Sequence, residues 1–288
     1  MAGAWSFRCS ACGKCCNSAP AMSVPELLHH QARFVGCLAI RRMQRLEGRD
    51  RLAEAVLHPL PGGAGDVLLA THAFGPSGPC PALGSDLRCT IHDDRKPAAC
   101  AVVPLDALVP DELQPRVLAE RRAEASYMGA DCIVPGERPG AAIVTRGLAV
   151  VDAPSAAALA RRRADLAEEK RRWGSSVFAL LQAELFATPA ALARVPADGL
   201  LLVAIAPVLV VLAAVSDRCR RRCVEYLDAQ GALIDRLSRA GAAHDPLGAF
   251  ARANRTLRTA LASAAVRPAS SARDAAAIEA WMGLPQPA

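Results

Sequence analysis

Apolar positions recur at helical spacing over most of this chain, and short apolar runs flanked by Gly and Pro interrupt them. After an irregular opening of about 22 residues, Ser23-Val-Pro-Glu26 has the form of a capping box with proline in the first turn, which predicts a helix to about Val35. "CLAIRRMQRLEGRDRLAEAVLH" keeps a helical period and predicts a second helix over about residues 37–58. "DVLLATHAF" is short and apolar between Gly and Pro, so a strand is expected there. Residues 75–110 read as loop, 115–127 as helix, and "AAIVTRGLAVVDAP" as a second extended stretch. Asp152 then caps a long helix over about 154–186, and Thr188-Pro189 opens a short one. Further helices are expected over 198–229, 231–242, 245–264 and 271–282, punctuated by Gly231, Pro246 and Gly283.

Composition agrees with this pattern. The 288 residues are 52% hydrophobic but only 4% aromatic, which favours helices packed through small side chains over β-sandwiches. The fold class expected is mainly α: an irregular, cysteine-rich metal-binding first half with a few short strands, followed by a helical half. A composition shift puts the expected boundary at residue 140, giving a cysteine-cluster domain over 1–140 and a helical domain over 141–288. Basic and acidic side chains balance over 1–140, so the whole net charge of +6 falls on 141–288. That excess reads as an arginine-rich solvated helix face. No nucleic acid is expected, because aromatics for base stacking are scarce. A protein substrate or partner stays open.

The uncharged run over residues 199–216, "GLLLVAIAPVLVVLAAVS", reaches the lower length limit of a membrane span, and Arg218, Arg220, Arg221 and Arg222 follow it. Pro207 interrupts it, and a span there would need the cysteines exported. The run is therefore expected to be a fully buried helix, and a membrane is not an expected partner. The opening "MAGAWSFRCSACGK" lacks a basic region followed by an apolar run. The expected location is cytoplasmic, where thiols stay reduced.

Eleven cysteines, an odd number, in such a compartment point to metal rather than disulfides. Cys9, Cys12, Cys15 and Cys16 crowd into eight positions, and Cys80, Cys89, Cys100 and Cys132 follow on segments read as irregular. Thiolates are soft donors suited to zinc and iron–sulfur clusters. The C-x-x-C spacing lets sulfurs converge on one centre, Gly13 permits a tight bend, and Arg8 and Lys14 favour the thiolate form. Consecutive side chains diverge, so Cys15 and Cys16 are expected to turn to different centres. The expected ligands, for metal and cofactor alike, are Cys9, Cys12, Cys15, Cys16, Cys80, Cys89, Cys100 and Cys132, enough for two four-thiolate sites. Cys37, Cys219 and Cys223 read as buried apolar residues. His29, His30, His72 and the pair Asp93–Asp94 read as ordinary core, surface and turn residues.

The motifs CxxCxxCC, then Cys80-Pro81-x-Leu83, Cys89-x-Ile91-His92, Arg95 and Pro97 before Cys100, and Pro104 resemble the YkgJ-type cysteine-cluster family over about residues 5–135. That family is described as chelating zinc or iron, and flagellin lysine-N-methylases share its cysteine framework. The resemblance implies metal binding and, at one further remove, a lysine-N-methylase-like enzyme that would use S-adenosylmethionine. No separate methyl-donor motif is present. In this chain Lys96 splits the usual Arg-Pro pair, His92 stands where tyrosine is common, and "AVV" follows Cys100. An iron–sulfur cluster takes four thiolates with spacing such as C-x-x-C-x-x-C, which Cys9, Cys12 and Cys15 provide. Structural zinc more often uses paired C-x-x-C knuckles. Iron–sulfur is the preferred cofactor, zinc the alternative. The expected role is redox or protein-modification chemistry, with a zinc-stabilised scaffold as the non-catalytic alternative.

Overall fold

The computed structural model describes residues 3–43, 50–75, 78–124, 132–241, 245–263 and 272–285. By its contacts the chain divides into two units: Met1–Pro20, Leu46–Val56 and Ser77–Ala167 form one, and Ala21–Arg45, Leu57–Pro76 and Glu168–Ala288 the other. Helices make up the larger part, as the composition implies, and each unit contains a four-stranded antiparallel sheet.

In the first unit β1 (Ala4–Phe7) lies between β5 (Ile133–Pro135) and β6 (Ala142–Arg146), and β6 turns at Gly147 into β7 (Ala149–Val150). Trp5 pairs with Pro135 on one side and Thr145 on the other. Ile133 and Val144 are fully buried, so this small sheet has an apolar face. The extended reading of 141–154 is thus a hairpin. Asp152 accepts the Ser155 amide at 2.9 Å and opens α5 (Ala153–Glu169), as its capping chemistry predicts. Arg163 on α5 ties down the loop before α4 (Gln114–Ala123), bonding the Val109 carbonyl at 2.7 Å and Asp111 at 2.7 Å. Positions 125–127 of the helix expected over 115–127 lie outside the described residues. This unit also holds α2 (Asp50–Val56) and α3 (Ala98–Ala101).

The second unit is built on the sheet order β3-β4-β2-β8, all antiparallel. Here β4 (Asp66–Phe74) is the expected strand. The capping box at Ser23 is present, with the Ser23 amide on Glu26 at 2.8 Å, but α1 (Val24–His29) is only six residues long. The predicted 37–58 helix is replaced by β2 (Val35–Met43), with α2 beginning at Asp50; residues 44–49 lie outside the described set. The reason is burial on both faces. β2 is central, paired with β4 and β8, and its first six residues are all buried, so its run of apolar side chains carries no strand alternation.

The second correction is the apolar run 199–216. It forms β8 (Leu201–Ala204) on the sheet edge and then the short α8 (Ala206–Ala213), rather than one buried helix. Pro207 starts α8 in its first turn, where a missing amide proton breaks no bond. Ser216 then accepts the Cys219 amide at 3.1 Å and begins α9 (Asp217–Arg239), which passes through Gly231 without a break. No described helix is long and apolar enough to cross a membrane. Val35, Cys37, Phe74, Leu233, Ile234, Leu247 and Phe250 form a core between β2, β4, α9 and α10 (Asp245–Ser263). Gly36 lets α9 approach β2 closely: a Cβ there would lie 2.0 Å from the Tyr226 hydroxyl. α6 (Ser175–Leu181), β3 (His58–Pro59), α7 (Pro189–Leu192, capped by Thr188) and α11 (Ala272–Trp281) complete this unit.

Candidate metal centre

The first unit's sheet places both ends of the cysteine framework together. β1 leads into Arg8 and Cys9, and β5, its neighbour, begins just after Cys132. The Arg8 amide bonds the Cys132 carbonyl at 2.9 Å, extending the strand pairing into the loop. The Ser10 hydroxyl and the buried Cys132 sulfur lie 3.1 Å apart.

The loop then reverses direction. Ala11 and Gly13 both have positive φ, 53° and 70°, and Lys14–Cys16 form one 3-10 turn closed by Cys16 N–H on the Gly13 carbonyl at 2.9 Å. A Cβ at Gly13 would touch Leu83 and Leu87 at 3.4 Å, so this bend rests on the second cysteine segment. The contact is fixed by the Cys80 amide, which donates to the Cys16 carbonyl at 2.7 Å. Thus Cys16 and Cys80, far apart in sequence, are joined backbone to backbone.

From Cys80 the chain turns twice. Leu83 N–H bonds the Cys80 carbonyl at 2.8 Å, and the Ala82 amide points at the Cys80 sulfur at 3.5 Å, a donor that stabilises a thiolate. Leu83 bridges Cys89, Gly84 N–H bonds Arg88 at 2.8 Å, and Thr90 N–H returns to Ala82 at 2.8 Å. That small hairpin carries Cys89 back beside Cys80. Cys100 enters on α3, whose amide bonds run back to the Pro97 carbonyl.

Electrostatics report the same convergence. The Cys15 thiol donates a hydrogen bond to the Cys16 sulfur, which holds the Cys15 proton on and pushes its pKa well above the ordinary range, with burial adding to the effect. Accepting that bond pulls the Cys16 pKa down, against burial and the nearby Cys80, Cys100 and Cys89. Cys15, Cys80, Cys89 and Cys100 all lie near enough to Cys16 to act on its charge. Cys9 and Cys15 are exposed and Cys12 is half-buried. Among the described residues no three cysteine sulfurs approach within 4.8 Å of one another.

The remaining cysteines sit in a different chemistry. Cys37, Cys219 and Cys223 are fully buried in the second unit, and burial pushes Cys37 and Cys223 up to about 12. Cys37 donates to the His72 carbonyl at 3.3 Å. Two arginines of "RCRRRC" are engaged locally: Arg220 bonds the Leu261 carbonyl at 2.9 Å and Arg222 the Leu28 carbonyl at 3.0 Å. Two residues near the thiols carry no signal of their own in the sequence: Ser10 fills a C-x-x-C spacer, and Lys96 splits the Arg-Pro pair before Cys100. The Lys96 ammonium lies near enough to Cys15 to favour its thiolate.

Residues 8–131 match the family described as "CxxCxxCC: Putative zinc- or iron-chelating domain". Seven of the eight candidate cysteines fall inside that span, and Cys132 follows it directly. No curated protein and no solved structure matches the chain significantly.

Proposed function

The chain carries, over residues 8–131, a domain of the CxxCxxCC family, and from that premise we propose that it binds an iron–sulfur cluster, of the 4Fe–4S kind, through thiolates drawn from its eight framework cysteines. The observation that carries this reading is the convergence of the Cys16 turn with the Cys80–Cys89 hairpin, clamped by the 2.7 Å bond from the Cys80 amide to the Cys16 carbonyl.

The donor set fits the group: soft sulfur ligands, on loops, with a backbone amide aimed at one sulfur. The C-x-x-C-x-x-C run of Cys9, Cys12 and Cys15 favours a polynuclear core, since structural zinc more often uses paired C-x-x-C knuckles and the later cysteines form none. When bound, such a cluster supplies one-electron transfer. Around it the protein's own groups would orient the thiolates, hold amide donors on them and leave an edge open at the exposed Cys9 and Cys15. An open edge suits a centre that exchanges electrons with a partner or serves modification of a protein.

Anaerobic purification with iron, acid-labile sulfide and zinc determination tests the reading. Iron and sulfide in comparable amounts are expected, with visible absorbance that bleaches on reduction. Zinc alone would replace the proposal with a zinc-stabilised scaffold. Cys12→Ser should lower the iron content, and unchanged iron would remove Cys12 from the ligands.

A further inference from the structure

Three consecutive arginines in α5 meet three different surroundings. Arg161 is exposed, and Arg163 reaches the loop before α4, where it bonds the carbonyls of Ala107 at 3.2 Å and Val109 at 2.7 Å. Arg162, between them, is only 5% exposed. Its Nη1 is sealed from solvent and has no hydrogen-bond partner among the described residues. Leu159 and Leu166 stand about one turn to either side, 1% and 4% exposed, so the guanidinium belongs to the buried apolar stripe of the helix. The loop tied to α5 has no carboxylate to spare: Asp106 pairs with Arg121 at 3.6 Å and Asp111 with Arg163 at 2.7 Å. A charge buried without a partner is strongly destabilising, and buried charges are therefore paired. Arginine, unlike lysine, does not escape burial by losing its proton.

We propose that Arg162 anchors a binding site, outside the cysteine segments, for a small monocarboxylate that carries an apolar group. Charge and shape both select this ligand. One carboxylate neutralises one guanidinium, and its two oxygens match the planar fork of N–H donors. The flanking Leu159 and Leu166 suit an apolar tail and offer no side-chain donors of their own. A phosphate would bring a second charge and further oxygens that these side chains cannot hydrogen-bond, so it stays better solvated in water. The site does not depend on which metal the cysteines hold.

The test follows denaturant unfolding of the anaerobically purified full chain in butyrate, with chloride and inorganic phosphate at matched ionic strength as comparisons. Butyrate should raise the midpoint saturably, and at 100 times its Kd should favour the folded state about 100-fold. Chloride and phosphate should have no such effect. Arg162→Met keeps a long side chain without the charge and should abolish the butyrate response. In chloride alone it should raise the folding equilibrium constant at least about fivefold, because it removes an unpaired buried charge. Arg161→Met, at the exposed neighbour, should respond to butyrate as the wild type does. A wild-type midpoint that ignores butyrate overturns the site, whatever the variants do. An equal response to phosphate, or a butyrate response that survives in Arg162→Met, also overturns it. Destabilisation or failure to fold of Arg162→Met in chloride would mean that the protein itself pairs the charge, and counts against the site equally.

Discussion

Gly36 and His58 show how single residues set the second unit. Gly36 has ordinary backbone angles, so its role is space: the Tyr226 hydroxyl occupies the position a methyl group would need. Gly36→Ala should destabilise the protein by about 3 kcal/mol in denaturant unfolding, as overpacking of a close contact does. The cost should fall by at least about 1 kcal/mol in a Tyr226→Phe background, which removes the clashing oxygen. Purely additive effects would show that the contact is not the cause. His58 is buried and stacked on Phe178 at 4.8 Å; burial and then the Lys170 ammonium pull its pKa down to about 4. An unfolded histidine titrates near 6.5, so the unfolded chain takes up a proton that the folded chain refuses. Stability from this residue is present above about pH 6.5 and is lost as pH falls through about 4, by up to about 3 kcal/mol. His58→Phe should flatten the dependence of the denaturation midpoint between pH 7 and 4.5. A slope equal to that of the wild type would remove His58 as its source. At this scale the thiols stand out in the sequence, because crowded cysteines on irregular segments have few structural uses. It could not name Ser10, the Ala82 amide or Lys96, whose roles arise only from folding.

Among the elements, α9 is the most informative. It runs from Asp217 to Arg239 through Gly231, a position expected to end a helix. A Cβ at Gly231 would meet nothing within 4 Å. Gly231→Ala should therefore raise stability by about 0.5–1 kcal/mol, the helix-propensity difference. A loss of stability would mean that the helix is not continuous there. Elements with local signatures were legible: the Ser23 capping box, the Asp152 and Thr188 caps, and the β4 strand between its breakers. β2 and β8 were not, for one physical cause. A strand buried on both faces needs apolar residues at every position, and such a run also fits a buried helix. What makes Val35–Met43 a strand is its two partners, β4 and β8, which lie about 30 and 160 residues downstream.

At the scale of the whole molecule, the two units differ in what holds them. The second has a continuous apolar core across its sheet and helices, whereas the cysteine segments of the first are turns and short hairpins held by backbone bonds and, on the present account, by metal. Chelation should therefore speed hydrogen exchange at the amides of residues 9–17 and 80–101 while β2 and β4 amides stay protected, because ligand binding is coupled to local folding. Uniform acceleration would show that metal stabilises the whole chain equally. The interleaving of chain segments between units had no counterpart in any local pattern, since it depends on which distant segments pair. The central claim, a polynuclear iron–sulfur centre on these thiols, is tested most directly by X-ray absorption at the iron and zinc edges of anaerobically purified protein. The account predicts iron with a sulfur shell and a second shell of iron neighbours. A zinc edge with a single shell of four sulfurs at about 2.3 Å and no iron would contradict it.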